Sequence, residues 1–201
     1  MPGYSTTNTD SVILRAAAHL QPAAKFKMAK LINMLEAINL LVGNCVRWFA
    51  LIMVLLQFII VLLRYVFGIS YIFLNEGVLY LHAFLFMLGA GYTLLVDKHV
   101  RVDIFYARKS VKGRATIDIF GHLFFLIPSM MVLAYYSWPS VRQSWAILEG
   151  PVSVGGIPAS FLLKSLIPAF SILLIIQCSA NLLKDILLFG SSESSQPPSS
   201  Q

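Results

Sequence analysis

Residues 45–67 read CVRWFALIMVLLQFIIVLLRYVF, and this run decides the fold class. A helix needs about 20 mainly apolar residues to cross the hydrocarbon layer of a bilayer. Three further runs of the same kind occupy 73–96, 115–138 and 159–189. Only helices and closed barrels satisfy their backbone groups in lipid. Barrel strands read as segments of about ten residues with alternating polarity, and these blocks are too long and too continuous for that. The chain is read as an all-α membrane protein with four transmembrane helices in one domain over 45–189.

Composition supports this reading. The chain is 58% hydrophobic and 12% charged, whereas a soluble domain is about 25% charged. Four spans and their loops use up the 201 residues, which leaves no soluble catalytic domain to expect. The net charge of +6 points to anionic lipid beside the spans, not to nucleic acid.

The basic residues crowd every second gap. Residues 1–44 hold Arg15, Lys25, Lys27 and Lys30, and 97–114 hold Lys98, Arg101, Arg108, Lys109, Lys112 and Arg114. The turn after Arg64 has none before the second span, and 139–158 has only Arg142. The positive-inside rule then puts both termini in the cytoplasm. Tyr135, Tyr136, Trp138 and Trp145 fit an aromatic belt at the opposite face. No cleavable signal peptide is expected, because the first long apolar run begins after some forty polar or amphipathic residues. Cys45 and Cys178 fall on the cytoplasmic side, where a disulfide is not expected.

Residues 1–21 read as a loosely structured arm and 190–201, rich in Ser and Pro, as a disordered tail. Between 22 and 44, Met28, Leu31, Leu35, Ile38 and Val42 recur at helical spacing, with Lys27, Lys30, Asn33 and Glu36 on another face. This predicts an interfacial amphipathic helix on the cytoplasmic leaflet, or an inward extension of the first span. Gly68 suits the turn after that span. Pro128 and Pro168 fall inside the third and fourth spans and predict kinks.

Polar residues inside the spans are few. Gln57, His82, Gln177 and Asn181 are the deepest. Arg114, Asp118 and His122 follow at steps of four near the cytoplasmic end of the third span, as an interfacial cluster or a proton relay. Arg64 and Glu76 end one span and begin the next on the external side, as a charge pair pinning the first hairpin or as two solvated charges. His99, Arg101 and Asp103 alternate with Val100 and Val102, which suggests an ordered junction between spans two and three. A haem held by His82 and His122 is disfavoured by their offset along the bundle, roughly 15 Å of helix rise. No HExxH, CxxC, phosphate loop or nucleophile elbow is present, so no enzyme, cofactor or metal site is expected.

The order and spacing of several stretches resemble the Q-type small permease (DctQ-like) subunit of tripartite ATP-independent periplasmic (TRAP) transporters, over about 45–185. They are LRYVFGIS at 63–70, Asn75-Glu76, Gly89-Ala90 followed by HVRVD at 99–103, Ser137-Trp138, GGIP at 155–158 and KSLIP at 164–168. The last of these look like the branch for mannitol, chloroaromatic or 2-oxo acid uptake. The resemblance implies a non-catalytic subunit of the bacterial inner membrane. Its partners would be a large permease subunit, which carries the substrate and sodium sites, and a periplasmic solute-binding protein that delivers an organic anion. The competing reading is an independent four-helix carrier or channel, which would need a polar stripe along its spans.

Overall fold

The computed structural model describes residues 22–96 and 111–191. Helix α1 covers Pro22–Val66, α2 Ile72–Leu95, α3 Val111–Phe120, α4 Ile127–Ala146 and α5 Ser160–Ser191, and a π-helical turn, Gly121–Leu126, joins α3 to α4. Four stretches are long and apolar enough to cross a membrane: Lys27–Val66, Ile72–Leu95, Thr116–Ala146 and Ser160–Ile186. Each overlaps one of the four apolar runs in the sequence, the first beginning well before residue 45 and the third ending beyond 138.

The expected separate interfacial helix over 22–44 is instead the first half of α1. At 45 residues, α1 is about 68 Å long by helix rise, more than twice the hydrocarbon thickness of about 30 Å. After Pro22 no proline interrupts it. The faces of this half are mixed: Lys27, Lys30 and Asn33 are exposed, as the amphipathic reading expects, but Glu36 from the same face is buried. Leu31 and Ile38, from the apolar stripe, are exposed, whereas Ile32, Glu36, Asn39 and Val46 are buried. With Gly43, also buried, these five recur at steps of four and three, the seam of one helix packed along others. Apolar side chains lose little by facing lipid, so packing selects small and polar residues for the inside.

α1 runs antiparallel to α2. Gly43 lies under the Tyr92 ring, Val46 approaches Gly89, and Phe49 meets Phe84 edge-on at 6.0 Å. α5 is the hub: it packs against α1, α2, α3 and α4. Its buried residues include Ser171, Gln177, Cys178 and Ala180, small or polar side chains that allow neighbouring backbones to come close.

Pro128 acts through the π-turn. A proline in a helix has no N–H to give and its ring crowds the carbonyl four residues back. Here the preceding turn widens, and the Ile127 N–H bonds to the His122 carbonyl five residues earlier. At the other end of α4, the Glu149 N–H reaches the Ser144 carbonyl at 3.0 Å and the Leu148 N–H reaches Trp145 at 3.3 Å. This is a Schellman ending in which the left-handed position is filled by Leu148, at φ 45°.

Two stability changes follow. A left-handed leucine costs about 1–2 kcal/mol, and Leu148 is 65% exposed and so contributes little by burial. Leu148→Gly should therefore raise stability by about 1 kcal/mol. A Cβ at position 43 would stand 2.4 Å from Tyr92 Cγ and 2.7 Å from its Cβ. Gly43→Val should separate α1 from α2 and lower stability by about 1–3 kcal/mol. Thermal unfolding in detergent checks both, and the shifts should have opposite signs.

Candidate functional site

Two polar clusters sit at opposite ends of the bundle. At the end that holds the α1–α2 turn, the seat is Glu76 in the first turns of α2. One carboxylate oxygen accepts the Ser153 N–H at 2.8 Å and the other the Ile157 N–H at 2.7 Å. Gly156 makes this closure possible, because a Cβ there would lie 2.1 Å from Glu76 Oε2. The Tyr80 hydroxyl lies 3.5 Å from the Ile157 carbonyl. The same loop is held from α4 and α5 as well: Lys164 bonds Glu149 at 2.5 Å, the Ser144 hydroxyl donates to Glu149, and the Ser160 hydroxyl donates to the Gly150 carbonyl at 2.5 Å.

Arg64 does not share this seat, which corrects the expected Arg64–Glu76 pair. Arg64 is exposed at the end of α1, Glu76 is buried, and no ion pair joins them. The physical reason is preorganisation. Two amides fixed in a turn converge on the carboxylate without ordering a long side chain, whereas exposed ion pairs contribute only about 0–1 kcal/mol.

The second cluster lies at the other end, where α1, α2 and α5 meet. Asn39, fully buried, donates through Nδ2 to Gln177 Oε1 at 3.1 Å and towards the Leu173 carbonyl at 3.4 Å. Gln177 donates onward to Asn181 at 3.0 Å. One turn outward, Lys184 pairs with the buried Glu36. Asn39 Oδ1 has no hydrogen-bond partner and faces Gly91, where a Cβ would stand 2.1 Å away.

The third span joins this end through His122. Its Nδ1 stands 3.7 Å from Asp185 on α5, and its carbonyl, displaced by the π-turn, faces the Cys178 thiol at 3.8 Å. The carboxylate brought to His122 is thus Asp185, on another helix. Asp118 is half-buried and has an interaction of its own. The Arg114 side chain lies outside the described residues, as do His99, Arg101 and Asp103. Gln57 and His82 are exposed on the outer surface, His82 stacked on Phe86. Among the described residues, no group of three or more His, Cys, Asp or Glu is placed to hold a metal ion.

Sequence reasoning passed over Glu36 as a buried residue, together with Asn39, Lys184, Asp185 and Arg47. The first two could have been found from the four-three spacing of Ile32, Glu36, Asn39, Gly43 and Val46. Lys184 and Asp185 carry no such signal, because their partners lie far away in sequence.

In chemical terms both clusters are joints, with their donors and acceptors turned on the chain itself. Glu76→Ala should leave two loop amides without their acceptor and lower the unfolding temperature. Arg64→Ala should leave it unchanged. Tryptic cleavage at Arg142 and thermal unfolding in detergent read the difference. Glu149 adds a pH dependence. The Lys164 ammonium, and next the Ser144 hydroxyl, hold its carboxyl below the usual carboxylate value. A lowered folded value means that the contribution is complete above the ordinary carboxylate range and is lost as pH falls through the lowered one. Glu149→Gln should flatten that acid limb of the stability profile.

A family model described as tripartite ATP-independent periplasmic transporters, DctQ component, matches residues 53–188. No curated protein and no solved structure matches the chain. The matched region contains α2 to α4, nearly all of α5, the Glu76 seat, the π-turn and the α5 half of the polar junction, and it extends over more than half of the sequence. The chain therefore belongs to the DctQ component family of tripartite ATP-independent periplasmic transporters, as a multi-pass membrane protein.

Proposed function

We propose that this chain is the non-catalytic small membrane subunit of a TRAP transporter, and that it supplies a fixed wall against which a large permease subunit works. The transporter takes up an organic acid by sodium symport in the bacterial inner membrane, and a periplasmic solute-binding protein delivers the acid. The motifs at 155–158 and 164–168 favour the branch for mannitol, chloroaromatic or 2-oxo acid substrates. Sodium and substrate sites belong to the large subunit. Both termini face the cytoplasm, by the distribution of basic residues.

One observation carries the scaffold reading. Among the described residues, most buried polar side chains bond within the bundle, Asn39 Oδ1 and His122 Nδ1 being the buried atoms without a hydrogen-bond partner, while the outer surface is a broad apolar coat. Asn39 and Gln177 bond each other, Glu36 bonds Lys184, and Glu76 bonds two backbone amides. Val54, Phe58, Phe86, Phe125 and Trp138 lie exposed along the spans. A permeation route needs polar groups or open carbonyls left over for the solute. A wall needs rigid internal joints and an apolar exterior, which is what these residues provide.

The test is reconstitution in liposomes under a sodium gradient. The expected outcome is no uptake by this chain alone, and sodium-dependent uptake when the large subunit and the binding protein are added. Saturable accumulation of a 2-oxo acid by this chain alone would overturn the scaffold reading. Reporter fusions at residue 201 and within 150–156 should report opposite sides of the membrane.

A further inference from the structure

Between α1 and α2, with α5 as its floor, lies a groove of about 620 Å³. Its lining carries Asn44, Arg47 and Thr93 towards one end and His82 towards the other, and the walls between are mainly apolar, with Leu85, Phe86 and Leu174. Gly89 in its wall keeps the groove open.

Arg47 is the residue that calls for an explanation. Val46 of α1 approaches Gly89 of α2, so Arg47 sits roughly six residues before the end of α2, about 9–10 Å inside it by helix rise. It is exposed. Its ring contact is with the neighbouring Trp48, 5.9 Å from the guanidinium carbon. Among the described residues no carboxylate lies within ion-pair distance of it. A cation at such depth is rare, and it is retained where an anion or water meets it. A long arginine side chain can turn its head towards the nearer membrane surface, and in this groove that is the end with Asn44 and Thr93.

We infer that this groove binds one glycerophospholipid from the leaflet at the Thr93 end of α2. The phosphate sits on Arg47 and Asn44, and an acyl chain runs inward along Leu85 and Phe86. The guanidinium fork suits a phosphate diester, to which it can donate two parallel hydrogen bonds. From Arg47 inward the lining is mainly apolar as far as His82, which accommodates hydrocarbon beyond a head group. The volume argues against a protein segment: a helix is about 10 Å across with its side chains, and 620 Å³ holds only about one and a half turns of it. A slender acyl chain fits. The net charge of the site favours an anionic head group.

Native mass spectrometry of the full chain in detergent tests this, with added phosphatidylglycerol or phosphatidylethanolamine as probes. The wild type should keep one phosphatidylglycerol in preference to phosphatidylethanolamine. Arg47→Gln should weaken that adduct about fivefold, the equivalent of one membrane-facing cation, and Arg47→Lys should weaken it less. Gly89→Leu fills the groove and should remove the adduct while Arg47 is intact. Circular dichroism establishes that each variant is folded. Equal phosphatidylglycerol retention by wild type and Arg47→Gln would overturn the site. So would a photo-cross-linker at Phe86 that captures the large permease subunit, in native membranes, in place of lipid.

Discussion

The buried amide of Asn39 is the contact on which the bundle's geometry turns. It stands where three helices meet, bonded to Gln177 and aimed at Gly91, with no exposed surface of its own. In water such a bond would contribute little, since the separated groups could bond to solvent. At the lipid level an unmatched amide has no such exchange, and measured values for interhelical bonds there average about 0.6 kcal/mol with a maximum near 1.7. Their larger role is registry. A donor and an acceptor on different helices meet at one offset only, and Gly91 admits Asn39 at that offset alone. Lys184 and Glu36, one turn further out, fix the same register a second time. Replacing one member of such a buried pair leaves the other charge uncompensated, so the pair acts as a constraint more than as a source of stability.

The opposite end of the bundle is closed by different means. There the α4–α5 connection folds back over α2, and its amides converge on Glu76. The loop is also tied to α5 through Glu149 and Lys164. One carboxylate on α2 and one on the loop thus join α2, α4 and α5 at that face. Helices fixed at both ends, with bonds between different partners at each, make a bundle that resists sliding. That property suits the scaffold role proposed for this chain.

α1 is the exception to this closed arrangement. Its length exceeds the bilayer, and much of its span shows large apolar side chains outward, among them Leu51, Val54, Leu55 and Phe58. Its inner stripe sets Glu36, Asn39 and Gly43 between Ile32 and Val46. A soluble helix would be arranged the other way round, because there water takes the polar face. In lipid the gain lies in hiding hydrogen-bonding groups, which is why Glu36 and Asn39, which look like surface residues in the sequence, lie at the centre of the packing.

The sequence by itself determined the class of protein, the number of spans and the family. These depend on run length, on composition and on local motifs such as the stretches at 63–70 and 155–158, and hydrophobic runs of span length admit one answer in a bilayer. It also placed Gly68 at a turn, and the glycine has φ 67° there. Only the tertiary structure decided which residues face one another. The sequence offered Arg64 to Glu76 because the two are near in the chain, whereas backbone amides some eighty residues away are the actual partners. It offered Asp118 to His122 by helical spacing, whereas Asp185 on α5 stands beside the imidazole. Lys184 and Glu36 are separated by 148 positions, and no local pattern joins them. Spacing along one helix fixes which side chains share a face. Which face turns inward depends on the neighbours that satisfy it, and these exist only once the helices have packed.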